Sequence, residues 1–130
     1  MILVDSDVLI DVLRKDVVAE TLLTSLSSVG PLGISVMSRM ETVRGCLNRE
    51  IQQRAEKLLR RFQVLTLDAA ISRRADELVT RYYLSHNMGV ADALIAATAL
   101  EYVLPLMSKN QRDYQFLQTE GLQLLPYPTA

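Results

Sequence analysis

Asp5, Glu41, Asp92 and Asp113 are carboxylates that an ordinary solvated helix face does not account for. Most of the 15 acidic residues, Glu20, Glu50, Glu56, Asp76 and Glu77 among them, fall where such a face would place them. Asp5 instead continues the apolar run Ile2, Leu3, Val4, which reads as a buried parallel strand. A carboxylate there costs several kcal/mol unless it is paired or bound to a cation. Asp92 opens the most apolar helical stretch of the chain, and Glu41 lies beside Met40 in the first turns of its helix, one turn from Met37. Asp113 follows a short strand through the turn Lys109 to Arg112.

Each acid also has a purely structural explanation. Glu41 can pair with Arg44 at i+3, and Asp92 can complement the positive end of its helix dipole. Asp113 can cap the segment Tyr114 to Leu117, and Asp7 can cap a helix through Val8, Leu9, Val12 and Leu13. Taken jointly, three of the four acids sit at a strand exit or a helix entrance, where α/β sheets gather ligands. Carboxylates ~4 Å apart repel by roughly 4 kcal/mol per pair at an effective dielectric of 20, so a cluster needs protons or cations. Magnesium or manganese satisfies this with oxygen ligands and retained waters, often together with a substrate phosphate. Phosphodiester hydrolysis is the chemistry that suits the layout, with the ion stabilising phosphate charge and activating a water.

The elements that must position these groups alternate between short strands and amphipathic helices. Asp16 caps a predicted helix carrying Val18, Leu22, Leu26 and Val29, which Gly30-Pro31 stops. Leu32 to Ile34 reads as a strand, and Ser35 or Ser38 starts the helix that carries Glu41, with Gly45 marking its end. Ile51, Ala55, Leu58, Leu59 and Phe62 share one spacing with Ile71, Ala75, Leu78, Val79 and Tyr82, so each set forms the buried face of a helix. Val64 to Thr66 reads as a strand between them, with Asp68 as the next cap. Val90 to Leu104 is apolar nearly all round, which requires a central buried helix, and Pro105 ends it. Leu106 and Met107 give a strand, and Leu122, Leu124 and Leu125 a last one. This alternation predicts a parallel α/β sandwich.

At 130 residues the chain fits one domain, 1–130, with no linker or repeat. An apolar fraction of 49%, a charged fraction of 22% and a net charge of −1 describe a soluble globular protein without a global signal for nucleic acid. Cys46 has no disulfide partner, which fits a reducing cytoplasm, and it reads as a small buried hydrophobe. The apolar start is too short for a membrane span or a signal peptide, so a cytoplasmic protein is expected. His86 has no metal-ligand spacing around it and reads as a loop or core residue.

Four segments resemble, in order and spacing, a PIN-domain ribonuclease of the VapC toxin type. They are Ile2-Leu-Val-Asp5-Ser-Asp-Val-Leu-Ile-Asp11, Ile34-Ser-Val-Met-Ser-Arg-Met-Glu41-Thr-Val-Arg-Gly45, Val90-Ala-Asp92-Ala-Leu-Ile-Ala-Ala-Thr-Ala99 and Leu106-Met-Ser-Lys-Asn110-Gln-Arg-Asp113-Tyr114. The resemblance covers essentially the whole chain. It implies a PIN-like three-layer α/β sandwich with a central, mainly parallel sheet. It further implies a Mg²⁺- or Mn²⁺-dependent endoribonuclease that cuts tRNA or rRNA to stop translation, forms a homodimer and is silenced by a cognate VapB-like antitoxin. On this resemblance Asp5, Glu41 and Asp92 match the acidic positions that hold the metal, and Asp113 matches a fourth. Other members place that fourth acid where this chain has Asn110. Ser6 matches a small hydroxyl residue that orients a phosphate or a metal water, and Asp7 fills a slot where Asn or Ser is also frequent.

RNA contacts must use a local patch. Seven of the 14 Lys and Arg residues lie between Arg39 and Arg61, with Arg54, Lys57 and Arg61 on one helix face. Lys109 and Arg112 lie nearer the predicted site and are the favoured phosphate contacts, with Asn110 beside them. Two other readings compete: an RNA-processing nuclease without a toxin role, and a non-catalytic α/β binding module whose acids are only caps and ion pairs.

Overall fold

The strand β1, Ile2–Val4, is the centre of the molecule. In this computed structural model, which describes residues 1–128, it pairs on one side with β2 (Leu32–Ser35) and on the other with β4 (Leu106–Met107). The outer strands are β3 (Gln63–Leu65) beside β2 and β5 (Leu124–Leu125) beside β4, giving the order β3-β2-β1-β4-β5. All four pairings are parallel, with registers such as Leu3 opposite Gly33 and Leu3 opposite Leu106. Every strand therefore points its carboxyl end to the same edge. The connections are α1 (Ser6–Leu13), α2 (Val17–Val29), α3 (Val36–Arg44), α4 (Arg49–Leu59), α5 (Ala69–His86) and α6 (Val90–Tyr102). Two short 3-10 turns, Gln111–Asp113 and Gln115–Glu120, separate β4 from β5.

Alternation along the strands divides the apolar side chains into two layers, since successive residues face opposite sides of a sheet. Leu3, Leu65 and Leu106 face a layer with Ile71, Leu78, Ile95, Tyr114 and Leu117. Val4, Leu32, Ile34 and Met107 face the other, with Val8, Leu9, Leu23, Leu58 and Phe62. Helices cover both faces, so the architecture is the expected three-layer sandwich, with a sheet that is wholly parallel.

The helix ends explain where the sequence expectations hold and where they shift. Ser35, Asn48 and Asp68 accept backbone N–H bonds from Met37, Ile51 and Ile71 and start α3, α4 and α5. The cap of α1 is Asp5 rather than Asp7: Asp5 is extended and accepts from Ser6 N at 2.7 Å, which leaves Asp7 inside the first turn. The helix expected to reach Leu104 stops at Tyr102, because Val103 turns left-handed (φ 54°) and Leu104 N donates back to Ala99 O. β3 begins at Gln63 rather than Val64, since Gly33 to Ser35 pair with Gln63 to Leu65. Leu122 belongs to the core and not to the last strand. Among the described residues no helix is long and apolar enough to cross a membrane.

Candidate active site

The carboxyl end of β1 lies between two neighbouring strands, β2 on one side and β4 on the other, and Asp5 leaves the sheet there. In open α/β sheets such a divergence leaves a crevice. Asp5 is buried with only 5% of its surface exposed. Its Oδ1 accepts from Ser6 N, and its Oδ2 accepts from Ser108 Oγ at 2.9 Å. Ser108 is fully buried and leaves β4 as Asp5 leaves β1, so the two residues face each other across paired strands.

Glu41 enters from α3. It occupies the second turn, and its Oε1 accepts from Ser6 Oγ at 3.0 Å. Among the described residues it forms no ion pair with Arg44, so that explanation of Glu41 falls away. Asp92 enters from the first turn of α6, and its Oδ1 accepts from Tyr114 Oη at 3.1 Å. The Tyr114 hydroxyl also lies against Asp5. Ser6 thus joins Asp5, through its backbone N–H, to Glu41, through its hydroxyl, and the Asp92 charge acts on Asp5 and the Glu41 charge on Asp92, which brings together three of the acids singled out in the sequence.

Asp7 is the acid that sequence reasoning set aside as a cap. Its Oδ2 accepts from Ser108 Oγ at 3.1 Å and from Asn110 N at 3.0 Å, while its buried Oδ1 has no partner among the described residues. The Ser108 hydroxyl has one proton and faces oxygens of both Asp5 and Asp7, so it cannot satisfy both at once. Asp113 stands at the rim, where the Asn110 side-chain amide donates to it. It caps neither 3-10 turn: the second follows Tyr114 without a side-chain cap. Its charge acts on Asp92, after burial and the bond from Tyr114.

Burial without compensating positive charge sets the electrostatics. Desolvation, then the neighbouring Asp7 charge, pushes the Asp5 carboxyl up to about 7. Desolvation also raises Asp7, and it lifts Asp92 to about 6 even though the Tyr114 bond opposes it. Three acids at one edge therefore hold their charge reluctantly, a pattern that marks functional sites. A cation supplies what the local groups lack.

The donor set fits a hard divalent ion. It is all oxygen, without a nearby Cys or His, and it leaves the buried Asp7 Oδ1 unused. Among the described residues no three acidic, His or Cys side chains are drawn together tightly enough to cage an ion on their own.

The flanking cations differ in availability. Lys109 Nζ donates to Asp11 Oδ2 at 2.7 Å, so its charge is engaged by a nearly buried acid. Arg112 is exposed and forms no ion pair among the described residues. Arg54, from the basic helix face, donates to Leu13 O, while Lys57 and Arg61 are exposed. Cys46 is half-buried rather than buried, with its thiol on Thr42 O. His86 ends α5 and stacks on Phe116 with ring centres 4.2 Å apart.

Sequence reasoning set Asp7 aside as a cap and missed Ser108 and Tyr114. A signal for Ser108 was available: it is the first polar residue after a buried strand, as Asp5 is. Tyr114 gave none, because a residue in a short 3-10 segment has no periodicity to betray its burial.

A family model described as PIN domain matches residues 2–121. Ribonuclease VapC10 of Mycobacterium tuberculosis is 45% identical over 111 residues, covering 85% of this chain and 83% of that protein. Two solved structures share the fold. A toxin-antitoxin complex from Klebsiella pneumoniae superposes with a TM-score of 0.81 at 23% identity over 100% of both chains. VapBC2 from Rickettsia felis, bound to a DNA fragment from their promoter, superposes with a TM-score of 0.81 at 19% identity, over 98% of this chain and 100% of that one.

Proposed function

The chain belongs to the PIN domain family, and from that premise we propose that it is a metal-dependent endoribonuclease of the VapC toxin type. The observation that carries the catalytic reading is the gathering of Asp5, Glu41 and Asp92 at the carboxyl edge of β1, with Ser6 linking the first two and Tyr114 holding the third. The 45% identity to a named ribonuclease supports the same activity.

Asp5, Glu41 and Asp92 would hold Mg²⁺ or Mn²⁺, with Asp113 at the rim as a fourth acid and Asp7 Oδ1 as a further free donor. When bound, the ion supplies charge stabilisation at a scissile phosphate and a more acidic water. The protein's own groups orient and polarise. Ser6 fixes Glu41, Ser108 holds Asp5 and Asp7, and Asn110 positions Asp113. Arg112 and the exposed side of Asn110 would meet RNA phosphates, while Lys109 stays engaged by Asp11.

The partners follow from the same reading: an RNA substrate, a second copy of the chain as a homodimer, and a VapB-like antitoxin. Tight superposition on chains of toxin-antitoxin complexes supports the last of these. The deciding test is cleavage of purified tRNA and rRNA by the full chain with Mg²⁺ or Mn²⁺, and its loss with a chelator. Cutting that persists after chelation overturns the metal; no cutting of either RNA overturns the proposed substrates.

A further inference from the structure

Tyr114 is the largest fully buried side chain of the molecule, yet it ends in a hydroxyl beside two carboxylates. Its ring belongs to the apolar layer with Leu117, Ile95 and Leu106. Its backbone is pinned on both sides, with Tyr114 N donating to Gln111 O and Leu117 N donating to Tyr114 O. The ring is therefore a stiff arm rooted in the core. Its tip reaches Asp92 on α6 and lies against Asp5 at the end of β1.

We propose that Tyr114 is a positioning residue whose hydroxyl holds the Asp92 carboxylate in place and presets it for a divalent cation. This rests on the divalent-cation reading given above. A phenol proton can satisfy one acceptor at a time, and here it goes to Asp92 Oδ1. That leaves Asp92 Oδ2 on the other side of the group, toward Gly89, where a β-carbon would stand 3.8 Å from it. One oxygen of the carboxylate is thereby committed to the protein, and the other accepts no hydrogen bond among the described residues. Without the hydroxyl, Asp92 loses its side-chain donor, so the ion must order the carboxylate itself. Hydrogen-bond partners of metal ligands commonly change affinity by about ten- to a hundredfold when removed.

The test is Mn²⁺ alone, titrated calorimetrically into the full-length wild type, Tyr114→Phe and Leu78→Ala. Tyr114→Phe keeps the ring and removes only the oxygen. Leu78→Ala weakens the same apolar layer away from the carboxylates and reports what general loosening does to affinity. The expected result is a Kd raised about ten- to a hundredfold in Tyr114→Phe, with its Tm in the absence of metal kept, and a Kd near wild type in Leu78→Ala. Equal or tighter binding by Tyr114→Phe overturns the tether alone, as does an equal loss in Leu78→Ala. A wild type that binds no Mn²⁺ overturns the metal reading and the tether with it.

Discussion

The Ser6 hydroxyl donates to Glu41 Oε1 across 3.0 Å and so ties the first turn of α1 to the second turn of α3. Removing it in Ser6→Ala leaves Glu41 without its orienting donor. We expect kcat for RNA cleavage to fall about ten- to a hundredfold, while Tm changes little, because one such bond contributes only about 1 kcal/mol. Single-turnover kinetics beside a thermal melt separates the two effects, and an unchanged kcat sinks the orienting role.

Asp5 both caps α1 and carries charge, and these roles part on substitution. Asn caps a helix about as well as Asp, so Asp5→Asn keeps the bond to Ser6 N and removes a buried charge. Cleavage should fall by on the order of a hundredfold or more, with stability equal to or above wild type. Asp5→Ala should lose cleavage and also about 1 kcal/mol of stability with the cap. Cleavage retained in Asp5→Asn would mean that the carboxylate does not serve the reaction.

Acid should stabilise the protein in the absence of metal over part of its range. Asp5 at about 7 and Asp92 at about 6 both lie above the ordinary carboxylate value of 3.8, because burial disfavours their charge. Between those values the folded state binds more protons than the unfolded state. The stability these groups contribute is therefore complete below about pH 4 and is lost as pH rises through 6 and 7. Melts of protein freed of metal should show Tm falling from pH 5 to pH 8, with a shallower slope in Asp5→Asn and in saturating Mn²⁺. A slope that is the same in all three would contradict the assignment.

Arg112 and Lys109 should separate into a substrate contact and a structural one. Arg112→Ala should raise KM and reduce the salt dependence of RNA binding by about one counterion. Lys109→Ala leaves Asp11, which is 8% exposed, without its partner, so its first effect should be a lower Tm. Binding measured against salt concentration, with melts alongside, shows whether the two variants trade these roles.

Val103 closes α6 in a left-handed conformation at φ 54° that a β-branched residue adopts only under strain. It is 73% exposed, so little packing is lost on its removal. Val103→Gly should raise stability by about 1 kcal/mol, the relief of a β-carbon clash less the greater freedom of glycine when unfolded. A lowered Tm would show that the valine packs usefully after all.

Much of this architecture could be read from residue order. The runs at Ile2–Val4 and Leu106–Met107 announced buried strands, and the repeated spacing after Ile51 and Ile71 announced α4 and α5. Asp5 stood out because a buried strand gave it no ordinary role, whereas Glu41 and Asp92, each with an ordinary role open to it, stood out only jointly with it. The pair Asp5 and Asp7 was harder: either can cap a helix two residues apart, and only the extended backbone of Asp5 decides which does. Ser108 and Tyr114 escaped because their importance comes from pairing across the sheet, which local periodicity does not encode.

The placement of β4 beside β1 also governs timing. Ser108 meets Asp5 across 103 positions of sequence, and Tyr114 follows later still. A chain growing on the ribosome at ~5–20 residues per second carries Asp5 for several seconds before these partners exist. No nascent piece that stops short of residue 114 holds Asp5, Ser108 and Tyr114 at once, so the completed edge arises late.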